Sequence, residues 1–161
     1  MAIAVGDKLP AATFKRFGDD GMTDVTGDQL FSGRKVVLFA VPGAFTPTCH
    51  ANHLPGYVQQ AGALKAKGID EIVCVAVNDP FVMKVWADQS NVGDAVTLLS
   101  DGNGTFAKSV GLDIDLAGPF LGVRSKRYVM VVDDGVVKAL MVEDNPGVVE
   151  ASGADKVLAA L

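Results

Sequence analysis

Two uninterrupted apolar runs set the terms on which this chain can fold. KVVLFAV occupies residues 35–41 and EIVCVAV residues 71–77. Both are rich in β-branched residues and lack polar alternation, so each reads as a strand buried on both faces. Between them, from Pro47 to about Lys67, Leu54, Val58, Ala61 and Leu64 recur every three or four positions, the pattern of a helix facing a core. Pro55 lies inside that pattern and predicts a kink, and Gly68 closes it. A strand, a helix and a second strand make a right-handed crossover, which places the two runs parallel in one sheet.

The rest of the chain extends this arrangement. DPFVMKVWADQS (79–90) reads as a helix with Asp79 as N-cap and Pro80 at the first helical position. AVTLLS (95–100) is a third strand, followed by a short helix over Thr105 to Val110. GLDIDLAGPFLGVRS (111–125), with its glycines and Pro119, reads as a long connection. KRYVMVV and VVKALMV flank Asp133-Asp134-Gly135, a hairpin signal. Ser152 and Asp155 fit a capping box opening a terminal helix. No repeat, low-complexity tract or Pro/Gly/Ser-rich linker divides the 161 residues. The expectation is one α/β domain, 1–161, with a central mixed sheet covered by helices on both faces.

Charge and composition exclude several functions. The net charge of -5 offers no basic surface to nucleic acid or an anionic membrane. VVLFAV, the longest clean apolar run, is far short of the roughly 20 residues that span a bilayer. MAIAVGDKLP lacks the basic-then-apolar order of a secretory signal, and a cytoplasmic protein is expected. The two cysteines, Cys49 and Cys74, form no C-x-x-C, so neither a disulfide framework, a zinc ribbon nor a dithiol motif is available.

Cys49 lies where KVVLFAV hands over to the helix. Strand C-termini and helix N-termini meet there in open α/β sheets, and that is where sites form. Free N–H groups and the positive end of the helix dipole favour a thiolate at such a position. Thr46, three residues earlier, can reach the cysteine or a bound oxygen substrate. Pro42 and Pro47 stiffen the approach, and Gly43 removes bulk beside it. The same residues also fit a purely structural arrangement, with Thr46 an N-cap, Pro47 an N1 proline and Cys49 a small packed residue. Arg124, Lys126 and Arg127 make a basic cluster of the kind that is usually solvated. Cys49 with His50 and His53 raises metal binding or a Cys–His nucleophile pair, but too few further groups converge, and His53 reads as structural or pocket-edge.

The P-x-x-x-T-x-x-C run from Pro42 to Cys49, together with HLPGYVQQA, VNDPFVMKVW and VRSKRYVMVVDDGVVKALMVE, resembles the type-5 peroxiredoxins, the group that includes the plant type-II enzymes. The resemblance runs from near the N-terminus to the last helix. It implies a thioredoxin-like fold and a thiol-dependent peroxidase that needs no metal or organic cofactor. It further implies Cys49 as the peroxidatic cysteine and Thr46 as a hydrogen-bond partner of peroxide and sulfur. Arg127 would hold the thiolate, and Pro42 would shield it. Gly43, Phe45, Thr48, Leu116 and Phe120 are expected around the substrate. Some members of the group place a resolving cysteine after the hairpin, where EDNPGVVEASGADKVL has none. Cys74 is the remaining candidate resolver, but mid-strand it reads as a core residue, about 10 Å below the strand end. The resemblance therefore implies an external reductant, glutathione with glutaredoxin or a thioredoxin. It also implies a homodimer built on loops near the site, with Ile114, Leu116, Phe120 and Leu121 as apolar loop residues. A redox sensor that passes oxidation from Cys49 to a client remains the alternative on the same scaffold.

Overall fold

A computed structural model describes residues 1–161. The two apolar runs are its central strands, β3 (Lys35–Val41) and β4 (Glu71–Ala76), parallel and in register with Phe39 opposite Cys74. β5 (Thr97–Ser100) continues the parallel set beside β4. Antiparallel β8 (Tyr128–Asp133) and β9 (Val136–Val142) extend the sheet on the other side of β3. Asp134 and Gly135 turn this hairpin with φ of 48° and 80°, the left-handed pair that a tight two-residue loop requires.

With β1 (Thr13–Gly18) and β2 (Gly21–Thr26) added beyond β5, the seven-stranded order is β2-β1-β5-β4-β3-β8-β9. The pleat sends alternate residues to opposite faces. Val37, Phe39, Val41, Ile72, Cys74, Val129 and Val131 face one apolar cluster, which also takes in α2 (Leu54–Ala66), α3 (Pro80–Gln89) and α5 (Ala154–Ala160). Val36, Leu38, Ala40, Val73, Val75 and Met130 face the other, with α1 (Gly27–Phe31) and α4 (Thr105–Ser109). Helices on both sides of a mixed sheet agree with the expected class. Asp79 caps α3, its carboxylate accepting from the Val82 N–H at 2.9 Å, and Pro80 is at the helix start.

Several expectations are corrected. β1 (Thr13–Gly18) and β2 (Gly21–Thr26) form an antiparallel edge hairpin that the apolar pattern did not announce. The stretch 111–125 is not a plain loop: β6 (Asp113–Leu116) and β7 (Gly122–Ser125) pair antiparallel as a separate small sheet. The second and third expected strands, β4 and β5, end or begin one or two residues inside the expected bounds, at Ala76 and Thr97. No Ser152–Asp155 capping box forms. Gly153 is the N-cap of α5 without a side-chain bond, and the Ser152 hydroxyl donates instead to Glu143.

The helix after β3 is also not uniform. Pro47 and Thr48 open it, Cys49–His53 form a π-helical turn, and α2 follows. In that turn the Leu54 N–H bonds back to the Cys49 carbonyl. Pro55 has no N–H, and its ring would crowd the carbonyl four residues earlier in a regular helix; a wider turn just before it relieves both problems. The irregularity predicted at Pro55 thus falls on the turn that carries Cys49 and His53.

Candidate functional site

Cys49 sits at the C-terminal end of β3, in the first turn of the helix, and is fully buried. The His50 N–H bonds to the Thr46 carbonyl, so Thr46 occupies the N-cap position and Pro47 the first helical one. Around this turn the 42–46 loop is pinned from two strands. Asn78, just past β4, accepts the Ala44 N–H at 2.9 Å, and Arg124 of β7 donates to the Pro42 carbonyl at 3.3 Å. The Thr46 hydroxyl donates to the Gly43 carbonyl at 2.7 Å. Its hydrogen is therefore committed, and toward any further group it acts as an acceptor.

Composition alone sets Arg127 among solvated basic residues, whereas the family resemblance sets it at the Cys49 thiolate; in the structure it is 2 % exposed. Each guanidinium nitrogen has a partner: Nη2 donates to the Cys49 sulfur at 2.8 Å, Nη1 to His53 Nδ1 at 2.8 Å and Nε to the Pro146 carbonyl at 2.9 Å. The bond to sulfur is charge-assisted when the sulfur is a thiolate, the form that attacks electrophiles. His53 Nε2 lies 3.0 Å from the Ser152 carbonyl, which can only accept, so the ring proton is on Nε2 and Nδ1 is left to accept from Arg127. Burial, then the Arg127 charge, pull the His53 pKa from 6.5 down to about 4 and keep the ring neutral. His53 is thus a buried ring hydrogen-bonded between Ser152 and Arg127, a place that the sequence did not indicate. His50 turns away and accepts from the Trp86 indole N–H at 3.0 Å.

The other expected pocket residues divide. Pro42 and Gly43 are buried beside the turn. Thr48 donates to the Gly147 carbonyl at 2.7 Å, tying the loop after β9 to the helix start. Phe45, with φ of 63°, is turned outward toward His50 and Trp86. Leu116 is half-buried in β6, while Phe120 is 96 % exposed and lines no enclosed pocket of this chain. Cys74 is fully buried in the same apolar cluster as Cys49. Burial, then the charge of Cys49, push its thiol well above the ordinary range, so it stays protonated. Both cysteines are free. No three His, Cys, Asp or Glu side chains converge as metal ligands.

Sequence reasoning missed three contributors. Glu143, Ser152 and Tyr57 lie far apart along the chain and meet behind His53. The Tyr57 hydroxyl donates to the same Ser152 carbonyl at 2.7 Å. Glu143, just past β9, accepts from the Ser152 hydroxyl at 2.6 Å and from the N–H groups of Glu150, Ala151 and Ser152.

The sheet, its two helical layers and a buried thiol–guanidinium pair at a strand-to-helix junction define an α/β thiol protein of thioredoxin-like fold. Residues 4–158 match the redoxin family. The chain is 53 % identical over 164 residues to the chloroplastic peroxiredoxin-2E-2 of Oryza sativa subsp. japonica, covering 99 % of this chain and 72 % of that protein. It is 47 % identical over 160 residues to peroxiredoxin-2C of the same plant, covering 99 % and 98 %. The crystal structure of reduced Prx3 from Vibrio vulnificus in complex with H2O2 superposes with a TM-score of 0.93 at 51 % identity, covering 98 % of each chain. The chain belongs to the redoxin family and, within it, to the peroxiredoxins, thiol-dependent peroxidases that take a peroxide as substrate and a thiol as reductant. No helix is long and apolar enough to cross a membrane.

Proposed function

We propose that the chain reduces hydrogen peroxide and organic hydroperoxides at Cys49 and returns to the thiol through an external reductant. The observation that carries this reading is the 2.8 Å bond from Arg127 Nη2 to the Cys49 sulfur in a water-poor site. The thiolate attacks one peroxide oxygen. An S–O bond forms, the O–O bond breaks, and the leaving oxygen departs as alkoxide or hydroxide and takes a proton. Two electrons have left sulfur, which becomes a sulfenic acid. Arg127 spreads positive charge toward the oxygens as negative charge moves onto them. Thr46, with its own hydrogen on Gly43, accepts from the peroxide O–H and aligns it. Pro42 closes the near side.

The sulfenic acid then loses water to a first external thiol, giving a mixed disulfide, and a second thiol releases Cys49. Glutathione with glutaredoxin, or a thioredoxin, supplies these thiols. Cys74 is not the resolver, because its thiol is held protonated and walled into the core. A homodimer is assigned to the hairpin of β6 and β7 and its neighbours, on which Phe120, Val123 and Phe45 are 96 %, 43 % and 41 % exposed. Two free thiols favour a reducing compartment, and the cytoplasm is assigned on that ground.

The test is one equivalent of hydrogen peroxide on reduced protein without added thiol, followed by intact mass and peptide mapping. One oxygen gained at Cys49 is the expected result. Loss of two hydrogens identifies Cys74 as the resolver and overturns the external cycle. An unmodified Cys49 overturns the site assignment.

A further inference from the structure

We propose that Glu143 is a positioning residue for the peroxidase reaction, folding the 143–152 loop into a row of carbonyl acceptors that fixes the tautomer of His53 and the aim of Arg127 at Cys49. The proposal rests on the reading of Cys49 and Arg127 given above.

The loop leaves β9 at Glu143, whose own N–H bonds to the Arg127 carbonyl at 2.9 Å. It returns to α5 at Gly153. Between those points it offers three carbonyls to the site. Pro146 accepts from Arg127 Nε, Gly147 from the Thr48 hydroxyl, and Ser152 from both His53 and Tyr57. A segment with no regular secondary structure needs an internal anchor to hold three acceptors in place. Glu143 is that anchor. It is 7 % exposed, and its Oε2 gathers the N–H groups of Glu150, Ala151 and Ser152 at 2.9, 2.9 and 2.7 Å and the Ser152 hydroxyl at 2.6 Å. Burial alone would push this carboxyl up; the Ser152 hydroxyl and the amides outweigh it and hold Glu143 below the usual carboxylate value.

The chain of constraint runs in one direction. With its N–H and hydroxyl both on Glu143, Ser152 can present only its carbonyl to the interior. That carbonyl has two donors, a tyrosine hydroxyl and an imidazole N–H. The phenol stays protonated and donates, because burial, then the charges of Asp155, Cys74 and Glu143, push Tyr57 well above its ordinary value. The carbonyl can only accept, so a neutral His53 facing it carries its proton on Nε2. Nδ1 is then the only acceptor that Arg127 Nη1 meets, and Nη2 is left on the sulfur. If His53 flipped to the other tautomer, an N–H would point at Arg127 Nη1, and the guanidinium would rotate off Cys49. In metal sites, outer partners that orient a ligating histidine typically contribute about 10- to 100-fold, and an effect of that order is expected for a partner that orients His53 and through it Arg127.

The test uses the full chain with Glu143→Leu, which removes every acceptor of the anchor at similar volume. Two readouts are taken on protein shown to be folded by circular dichroism. One is the rate of hydrogen peroxide consumption with excess dithiothreitol. The other is the pair of imidazole ¹⁵N shifts of His53, which distinguishes the tautomers and does not depend on activity. Wild type is expected to show the Nε2–H form. E143L is expected to show a mixture of tautomers and a rate lower by about ten-fold or more. If E143L does not fold, Glu143→Gln carries the test: it keeps one acceptor oxygen and loses the charge, and both readouts move the same way by a smaller factor. A slower variant whose His53 keeps the wild-type tautomer has lost only structure, and that overturns the proposal. So does a variant that matches wild type in both readouts. Should wild type consume no peroxide, the peroxidase reading fails, while the tautomer comparison still decides whether Glu143 positions His53.

Discussion

Acidifying the protein from pH 7 to pH 4 removes a quantity of stability that belongs to one side chain. His53 is neutral in the fold because it is buried away from water and lies against the Arg127 charge, which together outweigh the Ser152 carbonyl and Glu143 that favour its protonated form. Its pKa is about 4 in the folded protein against 6.5 as the ordinary value. Between those two pH values the unfolded chain holds a proton on His53 that the folded chain does not. The unfolded state is therefore favoured as pH falls through that window, and below about 4 the effect stops growing. At 1.36 kcal/mol per unit, the depression is worth about 3 kcal/mol. For a chain of this length that is roughly 6–12 °C in Tm. The assay is urea unfolding at steps from pH 7 to pH 4, followed by the fluorescence of Trp86, the single tryptophan, which is fully buried. His53→Gln is the reference, since its amide can donate to Ser152 and accept from Arg127 but does not titrate. Glu143, held below the usual carboxylate value, loses its contribution only at lower pH, and Asp101, raised by burial, acts in the opposite sense. Both are present in wild type and variant, and subtraction removes them. The difference between the two proteins should shrink in favour of H53Q by about 3 kcal/mol across the window. A flat difference from pH 6.5 to pH 4 would refute the reasoning, because it would mean that His53 is not held neutral by burial beside Arg127.

Thr46→Val removes the acceptor proposed for the peroxide hydrogen; stopped-flow reduction should slow about ten-fold, the worth of one hydrogen bond of roughly 1.4 kcal/mol, and Thr46→Ser should restore it. Cys74→Ala should leave peroxide turnover with an external thiol unchanged and lower Tm modestly, since it removes only packed volume; lost turnover would make Cys74 a participant. Gly43→Ala would place a Cβ 3.0 Å from Arg124 Nη1 and 3.1 Å from Thr46 Cγ2. It should reduce activity several-fold through Thr46 and lower Tm modestly, because the Arg124 guanidinium is the end of a long side chain that can give way, whereas β-branched Thr46 can yield only by shifting its hydroxyl.

What was legible in the sequence tracks how local each signal is. β3 and β4 announce themselves because a strand buried on both faces has no polar positions, and Asp79-Pro80 and Asp134-Gly135 encode their cap and turn within a few residues. β1 and β2 do not, since Phe14 is the one fully buried side chain between them and the rest of the hairpin meets solvent. β6 and β7 hide for the same reason: Ile114 and Leu116 are only half-buried, and Gly118 and Pro119 read as loop. Ser152 was misread because an S-x-x-D spacing is locally a helix cap, whereas its partner, Glu143, is set by how the loop doubles back.

Arg127 shows why a site residue can look like surface. As part of R-S-K-R it belongs to a basic cluster, and composition assigns such clusters to solvent. Phase says otherwise. Arg127, Val129 and Val131 are two residues apart, and in extended chain they share one face; Val129 and Val131 face the cluster that contains Cys49, while Tyr128, Met130 and Val132 face the other. Ser125 and Arg127 are each 2 % exposed, in that same inward phase, while Arg124 and Lys126 between and before them are half-buried. A cation that falls in phase with a buried alternation has to find acceptors inside, since an unpaired buried charge is unaffordable to a marginally stable fold. Here it finds three: a sulfur, an imidazole nitrogen and a backbone carbonyl. Two of them come from the π-helical turn and one from the loop anchored by Glu143, so the aim of the guanidinium is the joint product of both segments. The residue pattern that fixes this is spread over β3, the turn after it, β8 and the loop after β9. That spread is why the pairing of Cys49 with Arg127 was expected from family resemblance alone, and why the strand phase that accounts for it became visible only with the fold.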